Sequence, residues 1–289
     1  MSVRCPAMRV ASEYVSMLGE GPLWHTEERA LYWVDILGRR VFRLDPAIGE
    51  TVVVVDDRMV TALAENEDGG LTLVANENLL TLSGGSLTEM VPVETSDLVR
   101  TNDGKVGPDG RFWFGTMDWE ATDPLGALMV FDGEIRQVFD GVTISNGLGW
   151  SPDGDVFYHI DTIPGLIYQH RYDGVTGRAS DRTVLVDLTD TPAGPDGMAV
   201  DVDGNLWVAM WDGWGIYVFD STGRKIDEVK VPVQRPSSVA FGGPDLSDLY
   251  VTSATIDLTT AELASQPDAG KLLVTDPGTH GLPVGRLAL

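Results

Sequence analysis

One pattern recurs along this chain, and it constrains the fold more than any single motif. NGLGWSPDGDVFYHID begins at Asn146, DGMAVDVDGNLWVAMW at Asp196 and NDGKVGPDGRFWFGTM at Asn102. Each runs from a polar residue near a glycine into an alternating stretch, an Asp-Gly turn, and a second stretch rich in aromatic and β-branched residues. That is the chemistry of a β-hairpin: alternation puts every second side chain on one face, and glycine admits the positive φ of a tight turn. EGPLWHTEERALYWVD from Glu20, with Glu28 at the turn, and TALAENEDGGLTLVAN from Thr61, with Asp68-Gly69, fit the same frame. So does SSVAFGGPDLSDLYVTS from Ser237, with a longer turn. Strand-like runs such as VFRLDPAIGE, ALMVFDGE, IYVFDSTG and KLLVTDPG follow most hairpins.

Six units at a spacing of roughly 41 to 50 residues, each with about four strands, predict an all-β, six-bladed β-propeller. Its blades are expected to be four-stranded and antiparallel around a central channel. Helical repeats of this length would carry apolar residues at i, i+3, i+4 and i+7; a pair of β-sandwiches is the main rival. No Pro- or Ser-rich linker divides the chain, so residues 1–289 are read as a single domain. Residues 1–16 are expected to pair with the last repeat and protect its edge.

Charge and cysteine count bear on function. With 44 acidic against 20 basic residues the net charge is −24, which repels nucleic acid and anionic membranes and suits a cation or a neutral polar ligand. Cys5 is the only cysteine, which excludes an internal disulfide and a Cys-based zinc site. There is no apolar run of 18 residues and no signal-peptide core at the start, so a cytoplasmic protein with no membrane partner is expected. Nothing in the sequence sets the oligomeric state.

Counting back eight residues from Glu28, Gly69, Gly110, Gly154 and Gly204 gives Glu20, Thr61, Asn102, Asn146 and Asp196. Every one carries an oxygen that can ligate. The first strand of a propeller blade lines the channel, so equivalent positions are expected to converge. Glu20, Asn146 and Asp196 stand next to glycine, which removes side-chain bulk. Two carboxylates and a carboxamide converging in this way suit a hard divalent cation, with positions left open for water and substrate. The alternative is that these oxygens accept only from strand-end amides, as Asx turns do.

LGEGPLW at 18–24, RTNDGKVGPDGRFWFGTM at 100–117, SNGLGWSPDG at 145–154, PDGMAVDVDGNLWVA at 195–209 and FGGPDLSDLYVTSA at 241–254 stand in order along nearly the whole chain. Together they resemble the senescence marker protein, gluconolactonase and regucalcin family of six-bladed, calcium-dependent lactonases. The resemblance implies that Glu20, Asn146 and Asp196 ligate the metal. It places substrate contacts on Arg100, Asn102 and Glu120, the last in GTMDWE. It implies hydrolysis of a sugar lactone to the aldonic acid. Calcium is the first expectation; zinc, manganese, magnesium and ferrous iron also suit such ligands.

Hydrolysis needs an activated carbonyl, a nucleophilic water and a proton for the leaving alkoxide. Asp196, in the metal shell, is the candidate catalytic base, and Arg100 offers fixed donors to substrate hydroxyls or the oxyanion. No Gly-x-Ser-x-Gly elbow is visible, and Cys5 lies in the terminus, so a covalent route is disfavoured. Lys105 is either a substrate contact or the partner of Asp103. Asp161-Thr162 reads as a structural loop segment. Trp119, Trp211 and Trp214 follow strands and suit an apolar wall, whereas Trp24, Trp33, Trp113, Trp150 and Trp207 read as blade core. The histidines, His25, His159, His170 and His280, have no ligand spacing and read as ordinary strand or loop residues. The loop GTMDWEATDPLG and the tail TDPGTHGLPVGRLAL depart from the regucalcin pattern, which leaves the particular lactone open. The rival functions are a phosphotriesterase- or arylesterase-like propeller, a non-catalytic calcium-binding propeller, and a propeller glycosidase with a carboxylate pair.

Overall fold

The computed structural model describes residues 7–289, so Cys5 lies outside the described residues. β1 (Arg9–Ser12) comes first. It is followed by a sheet of β2 (Gly19–His25), β3 (Ala30–Asp35), β4 (Arg40–Asp45) and β5 (Glu50–Asp56), in chain order. The same meander repeats in β6 (Val60–Glu65), β7 (Leu71–Ala75), β8 (Asn78–Ser83) and β9 (Ser86–Pro92), and in β10 (Val99–Val106), β11 (Phe112–Asp118), β12 (Gly126–Phe131) and β13 (Ile135–Val142). It appears again in β14 (Ser145–Trp150), β15 (Val156–Asp161), β16 (Leu166–Asp173) and β17 (Arg178–Asp187), and in β18 (Gly194–Val200), β19 (Leu206–Trp211), β20 (Gly215–Phe219) and β21 (Lys225–Lys230). The last sheet holds β22 (Pro236–Gly242), β23 (Asp248–Ser253) and β24 (Leu272–Thr275), and its fourth strand is β1, which runs antiparallel to β24. Six four-stranded antiparallel sheets are thus present among the described residues, and the fold class is the six-bladed β-propeller that the repeat predicts.

The hairpin turns follow from their glycines. Gly69, Gly110, Gly154 and Gly204 have φ between 76° and 83°, the left-handed region that an Asp-Gly turn needs. The first hairpin differs: its turn is one residue shorter than in the β14–β15 hairpin, and Arg29, φ 51°, takes the left-handed position instead of a glycine. One short helix, α1 (Thr260–Ser265), interrupts the β pattern between β23 and β24. Its N-terminus is a capping box: the Glu262 amide donates to Thr259 Oγ1 (3.3 Å), and the Thr259 amide donates to the Glu262 carboxylate (2.7 Å).

The chain forms two compact units. One runs to Met59 and resumes over Pro192–Leu282. Its cores place Trp24, Trp33 and Phe42 with Tyr250 and Leu272, and Trp207, Ile216 and Val229 with Phe241 and Val251. The other holds Val60–Thr191 and Pro283–Leu289. There Phe112, Phe114 and Phe131 pack with Ala62 and Leu287, while Trp113 packs with Trp150, Phe157 and Tyr172. Trp24, Trp33, Trp113, Trp150 and Trp207 are therefore core, as the alternation indicates, whereas Trp211, expected after a strand, is the half-buried last residue of β19. In the second unit the departing tail makes a bridge: the Leu287 amide donates to the Glu65 carbonyl (2.8 Å), and Arg286 pairs with the Glu65 carboxylate (2.9 Å).

Among the described residues no helix is long and apolar enough to cross a membrane.

Candidate functional site

The strand that opens each of the six repeats slips register, in five of them at the residue the sequence count singles out. Pairing jumps between Glu20 and Leu23 in β2, Val60 and Ala62 in β6, and Thr101 and Gly104 in β10. It jumps again between Asn146 and Leu148 in β14, Pro195 and Met198 in β18, and Pro236 and Ser238 in β22. Glu20 and Asn146 are the last paired residues before their shifts. Thr61, Asn102 and Asp196 are the first residues inside theirs, and so is Ser237 in the sixth sheet. The count missed Ser237, but not because of a longer turn: residues 243–247 make a turn of the same length as 201–205, and Leu246 (φ 53°), nine residues after Ser237, stands where Gly204 does. A bulge of this kind releases backbone groups from the ladder and re-aims a side chain. Glu20, Asn102, Asn146 and Asp196 are all buried, at 4–7% exposure.

Some of those side chains tie neighbouring sheets together. Thr61 Oγ1 donates to Thr101 Oγ1 (3.0 Å), Asn102 Nδ2 donates to the Ser145 carbonyl (3.0 Å), and Ser237 Oγ donates to the Gly19 carbonyl. The last two bonds reach the residue just before Asn146 and just before Glu20. Glycine makes the approach possible at Gly197, where a Cβ would stand 2.0 Å from Ser238 Oγ.

In the unit holding β10 and β14, Arg100 Nη1 donates to Asn102 Oδ1 (2.9 Å) and to the Thr101 carbonyl (2.8 Å), so two of the sequence-predicted substrate contacts are joined directly. The Arg100 guanidinium also lies over the exposed Trp119 ring, 5.7 Å from its centroid. Asn146 Nδ2 donates to Thr162 Oγ1 (3.1 Å), and Asn146 Oδ1 accepts from the Gly147 amide (3.3 Å). Glu120 is exposed, on the loop after β11. The Asp118 carboxylate organises that loop: it accepts from the amides of Thr122 and Asp123 (3.0 Å each) and from Thr122 Oγ1 (3.1 Å). Bonds from the Asp123 and Thr122 amides hold the Asp118 carboxyl below its ordinary range. Asp103 and Lys105 flank Gly104; burial raises the Asp103 carboxyl and lowers the Lys105 ammonium, and their mutual attraction opposes both shifts. Asp161 accepts from the Thr143 and Ile144 amides (3.2 and 3.1 Å) at the entry to β14, a structural role.

In the other unit Asp196 follows Pro195 in β18, and Glu20 Oε2 accepts from the Gly21 amide (3.1 Å). Asp35 does for β2 what Asp161 does for β14: its carboxylate accepts from the Met17 and Leu18 amides (2.9 and 3.0 Å).

The donor chemistry of Glu20, Asn146 and Asp196 is all oxygen and deeply buried, which fits a hard divalent cation. Among the described residues no group of three or more His, Cys, Asp or Glu side chains is placed to hold a metal ion; the predicted set contains two such side chains and a carboxamide. A separate cavity of about 800 Å³, lined by Asp109, Asp153, Asp155, Arg171 and Asp173 among others, contains none of the predicted residues.

The family described as SMP-30/gluconolactonase/LRE-like region matches residues 18–255. The chain belongs to that family. Within the SMP-30/gluconolactonase family it is 37% identical over 238 residues to a pentonolactonase of Haloferax volcanii, covering 82% of this chain and 81% of that protein. It is also 37% identical over 273 residues to a 6-deoxy-6-sulfogluconolactonase of Pseudomonas putida, covering 92% and 93%. The structure of regucalcin, a calcium-binding protein of Agrobacterium tumefaciens, superposes with a TM-score of 0.92 at 30% identity, over 97% of this chain and 98% of that one.

Proposed function

We propose that this protein opens a sugar lactone to its aldonic acid by metal-assisted hydrolysis, with Glu20, Asn146 and Asp196 as ligands of a divalent cation, calcium first. The reading is carried by one observation: buried oxygen-bearing side chains recur at the register shift of the first strand, in a chain whose family includes named sugar lactonases. A divalent cation at these oxygens supplies the positive charge that polarises a carbonyl. Asp196 accepts the proton of a water whose oxygen attacks the lactone carbonyl carbon. The ring C–O bond breaks, and Asp196 returns the proton to the departing ring oxygen. Arg100, fixed by Asn102, presents guanidinium donors to the substrate oxygens. Asn102 and Glu120 orient the sugar hydroxyls.

The test is acid release in a pH-indicator assay over a panel of aldonolactones, run after chelation and again with each divalent metal restored. Hydrolysis should vanish with chelator and return with one preferred ion. Asp196→Ala should fold and lose about 10²–10⁴-fold in turnover, the range for a lost general base. No hydrolysis of any lactone by protein shown calorimetrically to bind metal would overturn the reading. The regucalcin neighbour, described as a calcium-binding protein, favours one second reading, a cation-binding propeller without turnover. Calcium uptake without hydrolysis would establish it.

A further inference from the structure

The β14–β17 sheet hides a polar contact with no solvent access. Ser145 Oγ lies 2.8 Å from His159 Nε2, and both residues are fully buried, at 0% exposure. Neither can reach a substrate, so this pair is not a nucleophile and its base. Its position suggests another role. Ser145 sits immediately before Asn146, where β14 slips register against β15. His159 pairs in the ladder with Leu148, on the far side of the slip. The Ser145–His159 bond therefore spans the bulge diagonally, where the ladder itself is interrupted.

Ser145 is also the reference point for the substrate-side residues. Its carbonyl accepts from Asn102 Nδ2, and Asn102 Oδ1 in turn accepts from Arg100 Nη1. On the β11 side, Gly115 leaves the room that Ser145 occupies, since a Cβ there would lie 2.1 Å from Ser145 Oγ. The imidazole has no competing bond: His159 Nδ1 has no hydrogen-bond partner among the described residues, and the Phe139 ring meets it edge-on at 5.3 Å.

We infer that His159 is a positioning residue, which by holding Ser145 across the β14 bulge sets the placement of Asn146 and, through the Ser145 carbonyl, of Asn102 and Arg100. The inference rests on the proposed roles of those three side chains, but the geometry it asserts is independent of any turnover. A buried polar bond of this kind resists breaking, because Ser145 Oγ and His159 Nε2 would then stand unpaired in the interior. A displacement of order 1 Å at a substrate-orienting group is enough to cost up to about a hundredfold in rate.

The experiment compares wild type, His159→Phe, His159→Gln and Ser145→Ala. It uses side-chain amide NMR signals of Asn102 and Asn146, with Asn205 as a remote control, together with kcat and KM on the best lactone of the panel. Gln restores a polar atom near the Nε2 position; Phe keeps the bulk and removes it. The Asn102 and Asn146 signals should move in His159→Phe and Ser145→Ala, stay near wild type in His159→Gln, and leave Asn205 unchanged. The fall in kcat/KM should be about tenfold to a hundredfold for the Phe and Ala variants, recovered by Gln, and no larger when Phe and Ala are combined. If no lactone is turned over but the amide signals move in this pattern, the positioning role stands and the lactonase reading falls. Unmoved Asn102 and Asn146 signals in a folded Ser145→Ala protein would overturn the inference, and that variant settles the matter even if His159→Phe does not fold.

Discussion

His159 and His170 stand with ring centroids 6.5 Å apart inside one sheet. Burial, with nearby His170 and then Arg182, pushes His159 down to about 3. Burial and Arg182 push His170 down to about 4. An unfolded histidine titrates near 6.5, so below that pH the unfolded chain takes up protons that the native one refuses. Their contribution to stability is therefore complete above about 6.5 and is lost as pH falls towards 4. Each residue should remove about 1.4 kcal/mol per pH unit in that window. Urea unfolding at pH 7 and pH 5 should show the loss, and His159→Phe should reduce the slope by about one proton's worth; an unchanged slope would contradict the assignment. None of this was legible in the sequence, where His159 is one histidine among four without ligand spacing. Its partner Ser145 lies fourteen residues away and is brought opposite only by a register slip that no local pattern announces.

At the scale of the element, the hairpins were legible because their chemistry is local. Asp-Gly turns specify a backbone conformation, and Gly69, Gly110, Gly154 and Gly204 adopt it. Arg29 occupies a left-handed turn position without the residue type that signals one. Ser237 escaped the count because Leu246, also left-handed and not a glycine, stands nine residues on, where Gly69, Gly110, Gly154 and Gly204 stand eight residues after their polar positions. The helix α1 went unread although T-x-x-E, Thr259 to Glu262, marked its start. The polar first-strand positions were found by counting, but that they coincide with bulges is a property of paired strands. The close approach at these bulges has a measurable cost when filled. Gly115→Ala would put a Cβ 2.1 Å from Ser145 Oγ, and Gly197→Ala would put one 2.0 Å from Ser238 Oγ. Each should destabilise by about 1–3 kcal/mol in urea unfolding, the usual cost of overpacking. Gly174→Ala, whose nearest atoms would be 3.9 Å away, should cost far less, and equal losses at all three glycines would refute the packing argument.

For the whole molecule, the two compact units are not consecutive halves. One is assembled from both the early and the late parts of the chain, and the other takes the middle together with the final residues, 283–289. Neither unit is a continuous stretch that could be cut out at one boundary. We therefore propose that the 289 residues unfold as one domain. Fluorescence of the buried tryptophans and far-ultraviolet circular dichroism should give one coincident urea transition. Two separated transitions would establish two domains instead.

The sheet completed by β1 has a consequence in time. Its other strands, β22, β23 and β24, are encoded at the opposite end of the chain. A ribosome adding about 5–20 residues per second needs on the order of 15–60 seconds to finish a chain of this length. Until Leu272–Thr275 is made, Arg9–Ser12 has no partner strand, so a segment synthesised about 260 residues earlier is among the last of the described strands to find its place.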